Sequence, residues 1–141
     1  MKKTGWLAGT SLTCLVSTLA LSLAGANAVG ADGAAPAALV AKGERLYVQC
    51  RDCHTVDEGD DDRVGPNLYG VPGKAAASRS GFPYSASLRA AGLTWDDATL
   101  DRWLENPRAV VPETSMAFVG IKDPEDRRAL IAYLRAVALA E

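Results

Sequence analysis

Five consecutive residues carry the sharpest chemistry in the chain: Cys50-Arg51-Asp52-Cys53-His54. C-x-x-C-H is a spacing on which haem is attached covalently, and the chemistry dictates that spacing. Two thiols add across the two vinyl groups on one edge of a flat macrocycle, so both must project from one side of the backbone. On a helical turn, positions i and i+3 share a face. Position i+4 lies on it too, so the His54 imidazole can reach beneath the iron. Other uses of C-x-x-C fit less well. A thioredoxin-like redox pair needs a βαβ setting, and no alternating apolar-polar run here is long enough to make strands. A closed zinc site needs four ligands. Past residue 28 the chain offers Cys50, Cys53 and His54 and no further Cys or His.

An iron held by His54 needs a sixth ligand or stands open. The chain has one His and two Met. Met1 leaves with the leader described below, so Met116 is the remaining thioether. A lone Met normally fills a core gap. In a haem protein it is the expected second axial ligand, and His/Met ligation raises the reduction potential relative to two nitrogen ligands. With His54 and Met116 both on the iron, no coordination site is left for substrate or oxygen. No catalytic residue is therefore expected, and the chain reads as an electron-transfer protein rather than an enzyme.

These residues must be positioned by a small domain, since 141 residues fit one domain and hardly two. The start reads as export machinery. Lys2 and Lys3 precede an apolar stretch, Trp6 to Leu23, which ends near Ala26-Asn27-Ala28, a signal-peptidase pattern. Residues 1–28 are read as a signal peptide, 29–38 as a flexible leader of small residues, and 39–141 as the folded domain. As a retained anchor the first segment would be a weak span, because hydroxyl residues interrupt it. The expected location is the periplasm, with no stable membrane insertion after cleavage.

Four helices are expected. The first covers about Leu39 to Arg51, from the helical recurrence of Leu39, Val40, Gly43, Leu46 and Tyr47. A short one covers Ser85 to Ala90 and stops at Gly92. The third covers Trp95 to Glu105, with Thr94 as N-cap and Asn106-Pro107 as stop. The fourth follows Asp123-Pro124 with a stripe of Leu130, Ile131, Leu134 and Val137. Long Gly- and Pro-containing loops, 55–83 and 106–122, lie between them. Loops of that length need a reason, and a cofactor to pack on supplies it. The fold class expected is all-α.

Taken in order, the motifs resemble a class I c-type cytochrome across about Lys42 to Val137. They are Gly43 with Tyr47, Cys50-x-x-Cys53-His54, Gly65-Pro66-Asn67-Leu68, Gly81-Phe82-x-Tyr84-Ser85, Leu93-Thr94-Trp95, Leu104-Glu105-Asn106-Pro107, the Met116 loop with Phe118 and Gly120, and Leu130-Ile131-Ala132-Tyr133-Leu134. The resemblance implies the class I cytochrome c fold, helices and long loops wrapped around one haem c held through Cys50 and Cys53. It implies that the Pro66 carbonyl accepts a hydrogen bond from the His54 imidazole. It implies that Tyr84 and Trp95 donate to a haem propionate, that Thr114 lies near a propionate, and that the first and last helices cross at Gly43 beside Tyr133. Three positions depart from the family pattern. Ser115 stands where mitochondrial members carry Lys, Trp103 where a Tyr is usual, and Leu88 where an Asn is frequent.

The implied function is a soluble monomer that shuttles single electrons between an oxidase, reductase or dehydrogenase by transient docking. A dedicated haem subunit of one dehydrogenase and a gas-binding or peroxidase-like haem protein are the alternatives. A peroxidase would want a distal His, and none exists. The charge, 15 Lys+Arg against 17 Asp+Glu, excludes a basic stripe for nucleic acid. Loss of Lys2 and Lys3 makes the balance two charges more negative. The loop Asp57-Glu58-Gly59-Asp60-Asp61-Asp62-Arg63 reads as a solvated acidic loop or as a docking feature for a basic partner. Arg51, Arg79, Arg108 and Lys122 are available for a local positive patch. Oxidation by an acidic-faced oxidase should therefore depend on ionic strength less than for Lys-rich cytochromes. Stopped-flow rates against salt test this, and a steep fall would contradict it.

Overall fold

The computed structural model describes residues 35–138. Residues 1–28, read above as a signal peptide, residues 29–34 of the expected leader, and residues 139–141 lie outside the described residues. Within them the chain forms α1 (Ala37–Tyr47), α2 (Ala86–Ala90), α3 (Asp97–Glu105), α4 (Pro107–Val110) and α5 (Pro124–Val137). One isolated bridge, Ala75 to Thr94, is the sole β pairing among the described residues. No helix there is long and apolar enough to cross a membrane.

Local chemistry explains most boundaries. The Asp123 carboxylate accepts from the N–H groups of Glu125 (2.7 Å) and Asp126 (3.4 Å), and Pro124 fills the first helical position of α5. Ser85 caps α2 through the Leu88 N–H. Three expectations need correcting. Helix α3 is capped by Asp96, whose carboxylate accepts from the Thr99 N–H at 2.7 Å. Thr94 sits instead in the bridge to Ala75. Asn106-Pro107 ends α3 as expected, but it also starts the extra helix α4, because the Asn106 side chain caps Ala109 and Pro107 stands first. Finally, α1 begins at Ala37 and closes at Tyr47, short of the expected Arg51.

The frame is the crossing of α1 and α5. A Cβ on Gly43 would fall inside the Ala129 carbonyl and lie 2.7 Å from the Tyr133 Cβ. Only a residue without a side chain lets the two backbones meet there. One turn further on, the Tyr47 and Tyr133 rings pack at 5.4 Å. From α5, Leu130, Ile131 and Leu134 join Leu100, Trp103 and Leu104 of α3 in one buried cluster.

Arg127 ties α5 to α3. It is 6% exposed and uses all three nitrogens. Nε and Nη2 donate to the Asp101 carboxylate (2.7 and 3.2 Å), and Nη1 donates to the carbonyls of Ile121 (3.0 Å) and Lys122 (2.9 Å). A buried guanidinium is tolerated because its donors are used. Nothing in the sequence pattern singled it out.

The remaining chain is loop, held by backbone bonds. Trp95 N–H donates to Lys74 O (2.8 Å), Gly73 N–H to Trp95 O (2.9 Å) and Ala76 N–H to Leu93 O (2.8 Å). These pin the 70s segment to the entry of α3. At the other end Ile121 N–H donates to Leu104 O (2.8 Å). Gly120 makes this approach possible: its φ is +88°, and a Cβ there would run into the Glu105 carbonyl.

Gly43→Ala is expected to cost about 1–3 kcal/mol, because the obstructing atoms are backbone and cannot rotate away. Urea unfolding should show a lowered midpoint. Asp96 supplies a second test. Its capping bonds to Thr99 hold its carboxyl below the ordinary 3.8, so the stability it adds is present above pH 3.8 and is lost as pH falls through the lowered value. Asp96→Ala should be less stable than wild type at neutral pH, and the gap should narrow in acid.

Candidate haem site

Helix α1 gives way at Tyr47 to tighter turns. Cys50 N–H donates to Tyr47 O (2.8 Å), Cys53 N–H to Cys50 O (3.0 Å) and His54 N–H to Cys50 O (2.9 Å). The five-residue motif thus rides on a helix-like coil anchored to α1. The Tyr47 hydroxyl donates to the His54 carbonyl at 2.9 Å and clamps the far end. Burial pushes the Tyr47 phenol up to about 12, so it stays a donor at neutral pH. Cys50 is half-buried and its thiol is pushed up to about 11 by burial, then by Cys53. Cys53 is exposed.

The His54 ring is gripped from one side. Its Nδ1 lies 2.7 Å from the Pro66 carbonyl oxygen. A carbonyl can only accept, so Nδ1 carries the proton and Nε2 is the bare nitrogen. Gly65 is the second part of the grip. A Cβ there would lie 2.7 Å from both ring nitrogens, so the backbone passes directly against the imidazole. Burial lowers the ring's pKa, partly offset by the Pro66 bond, which favours the neutral, ligating form.

What holds Gly65-Pro66 in place is a network that the sequence did not reveal. Gly65 N–H donates to Cys53 O at 2.7 Å. Asn67, buried, donates through Nδ2 to the carbonyls of Asp57 (2.8 Å) and Asp60 (3.2 Å), accepts from Tyr69 N–H (2.6 Å), and its own N–H donates to Asp62 (2.8 Å). Thr55 donates to Asp61 O (2.8 Å). Arg79 pairs with the Asp62 carboxylate and donates to Asp60 O. The acidic loop is therefore built onto the site, not simply solvated, and Arg79 is spent on it. Lys122 likewise donates to the Glu105 carbonyl (3.0 Å). Of the cations considered for a positive patch, Arg51 and Arg108 are exposed with their charged ends in no ion pair among the described residues.

The expected propionate donors come together. Tyr84 and Trp95 line one cavity of about 180 Å³, along with Asn67, Lys74, Ser78 and Arg79. Hydroxyl, indole and cationic groups around one opening suit a carboxylate. Burial raises the Tyr84 phenol, keeping it protonated to donate. Thr114 is buried, and its hydroxyl oxygen accepts from Met116 N–H (3.3 Å), so it shapes the Met116 loop directly. Ser87 donates to Glu113 O (2.9 Å) and ties that loop to α2. Met116 itself packs on the same apolar cluster as Cys50, Tyr84, Trp95 and Phe118.

Two of the departing residues are buried in that cluster. Leu88 puts hydrocarbon where an amide was considered, and the Trp103 ring meets Trp95 edge-on at 5.1 Å. Ser115 is exposed. The residues present fit a haem. Two thiols and an imidazole share one coil, the ring is cradled by a glycine, its outer nitrogen is already satisfied, and a polar cavity lies beside an apolar wall.

Comparison with known proteins agrees. Residues 40–138 match the family model for cytochrome c. Cytochrome c2 of Rhodomicrobium vannielii is 45% identical over 119 residues, spanning 84% of this chain and 95% of that protein. Cytochrome c of the plant Nigella damascena is 39% identical over 102 residues, 72% and 92% of the two chains. Among solved structures, cytochrome cH from Methylobacterium extorquens superposes with a TM-score of 0.66 at 41% identity, covering 69% of this chain and 97% of that one. The chain belongs to the cytochrome c family, an all-α class I cytochrome with haem c carried covalently by Cys50 and Cys53.

Proposed function

We propose that this chain, freed of residues 1–28, is a periplasmic monohaem cytochrome that carries single electrons between partner proteins, with His54 and Met116 as the iron ligands. The observation that carries the reading is the 2.7 Å contact between His54 Nδ1 and the Pro66 carbonyl, which leaves Nε2 as the ligating nitrogen. Haem, when bound, supplies a reversible one-electron couple. The chain's part is to hold that couple still. Gly65 and Pro66 fix the imidazole, and the Nδ1 hydrogen bond raises its donor strength. Thr114 braces the backbone at Met116. Tyr84 and Trp95 are placed to donate to a propionate, with Lys74 adding positive charge at the same cavity. The apolar cluster around Trp95 and Trp103 keeps water from the Met116 side. Little in this arrangement has to move when one electron arrives or leaves, which suits a shuttle.

Ligation by Met116 has a direct spectroscopic consequence. Reduced wild-type holoprotein should show no spectral change with carbon monoxide, and the oxidised form should show a weak near-infrared sulfur-to-iron band. Met116→Ala should abolish that band and bind carbon monoxide readily, with the covalent haem retained. If wild type binds carbon monoxide rapidly and lacks the band, Met116 is off the iron, and a gas-binding or peroxidase-like protein is the better reading.

A further inference from the structure

The loop that carries Met116 is held firmly where it leaves. Ile121 N–H donates to the Leu104 carbonyl (2.8 Å), Lys122 Nζ to the Glu105 carbonyl (3.0 Å), and Arg127 Nη1 to the carbonyls of Ile121 (3.0 Å) and Lys122 (2.9 Å). Its entry is held more thinly. Thr114 N–H donates to the Val111 carbonyl (3.1 Å) and Met116 N–H to the Thr114 hydroxyl (3.3 Å), and both bonds close within a few residues of chain. Among the described residues, one side chain from another element reaches the stretch 112–119 with a hydrogen bond. It is Ser87 of α2, whose hydroxyl donates to the Glu113 carbonyl at 2.9 Å.

That bond ends a relay whose direction the donors fix. A hydroxyl has one proton to give. Ser87 gives its proton to Glu113, because a carbonyl only accepts. The contact between the Ser85 and Ser87 hydroxyls, at 3.0 Å, therefore uses the Ser85 proton. The Ser85 oxygen in turn accepts from the Leu88 N–H (3.2 Å), the capping bond of α2. The relay runs from an N–H at a helix start, through two hydroxyls, to the peptide that precedes Thr114. Bonds arranged in such a series polarise one another in the same sense. The platform beneath it is fixed as well. Leu88 is buried in the apolar cluster, and Arg89 donates to the carbonyls of Tyr84 (3.3 Å) and Phe82 (3.4 Å). The Leu88 side chain has no polar atom, so α2 bonds the loop through its neighbour Ser87.

We propose that Ser87, aligned by Ser85, is a positioning residue for Met116: its bond to the Glu113 carbonyl holds the loop entry and slows release of the Met116 sulfur from ferric iron. The proposal rests on the reading of Met116 as the sixth ligand. Thr114 is the link between the two ends. It is buried, one peptide joins it to Glu113, and its hydroxyl accepts the Met116 N–H. A shift of the Glu113 carbonyl therefore moves the frame on which Met116 stands. For the sulfur to leave, the loop has to swing away from the apolar cluster. Its exit is tied to α3 and α5, so the entry is the end with the least to break.

The test mixes ferric holoprotein with a large excess of imidazole in stopped flow. An imidazole nitrogen takes the place of the sulfur with no change of oxidation state, and loss of the near-infrared sulfur-to-iron band reports it. At saturating imidazole the rate is that of Met116 release. Ser87→Ala should raise it about five-fold, and Ser87→Thr, which keeps the hydroxyl, should return it close to wild type. Gly43→Ala is the stability control, since it acts at the crossing of α1 and α5. It should lower the urea midpoint and leave the release rate as in wild type. Equal release rates for wild type and Ser87→Ala overturn the proposal, while the band itself still places Met116 on the iron. An equal acceleration by Gly43→Ala also overturns it, because release would then follow global unfolding. Wild type without the band overturns the ligation reading and the proposal with it.

Discussion

The Nδ1–H of His54 has the Pro66 carbonyl to donate to, and a large share of the chain keeps it so. An imidazole on a flexible turn would sample both tautomers and many ring angles. Here the backbone of Gly65 lies against the ring, and its N–H is bonded to Cys53, so the ring and the chain behind it are one unit. Asn67 then fixes the next peptide by reaching four backbone or carboxylate partners in the loop 57–62 and at Tyr69. The chain commits a buried amide, the Asp62 carboxylate and several loop carbonyls to the orientation of one ring. Such cost is reasonable where a few tenths of an ångström at a ligand matter.

The helices serve a different constraint. Among the described residues the loops outnumber the helical residues and cannot make a core alone, since loop backbone seeks partners that helices already have. The α1–α5 crossing at Gly43 and the Arg127–Asp101 tie to α3 form a scaffold on one side. From it the C-x-x-C-H coil and the Met116 loop project as extensions, one from the end of α1 and one from the ends of α3 and α4. The Met116 loop is pinned at its far end by the Ile121 N–H on the Leu104 carbonyl, and the coil at His54 by the Tyr47 hydroxyl. Cofactor-bearing segments can thus be irregular without being loose.

The site was more legible in the sequence than the means of holding it. Cys50, Cys53 and His54 were visible because chemistry fixes their spacing, and Asp123-Pro124 announced α5 because capping is local. Thr94 was mistaken for a cap because Asp96, two residues later, competes for the same job, and the bridge from Ala75 is a long-range contact with no local trace. Helix α4 escaped because Asn106-Pro107 reads equally as a stop and as a start. Arg127 and Asp101 are 26 residues apart, and nothing in either neighbourhood marks the pairing. Gly65 and Asn67 were seen as motif letters, but their physical roles, as a gap for a ring and as a staple for a loop, appear only in three dimensions. Residues 1–34 lie outside the described residues, so the signal peptide and most of the leader stay as sequence readings, while Ala37 and Ala38 of the expected leader belong to α1.

The acidic loop shows how a bulk property can mislead about a surface. Net charge alone would assign the chain to a weakly anionic class and say nothing about where partners meet it. In the structure Arg79 and Lys122, both exposed, are engaged by the Asp62 carboxylate and the Glu105 carbonyl. In the stretch of chain next to Cys53, Arg51 and Arg63 are exposed and in no ion pair among the described residues. The same bonds that steady Pro66 hold the loop through its backbone and Asp62, and leave Asp57, Glu58, Asp60 and Asp61 exposed. Ring orientation and surface charge are consequently one design problem here. A change that loosened Asn67 or Arg79 would disturb the imidazole and the surface charge together, whereas a change confined to an exposed carboxylate would touch the surface alone.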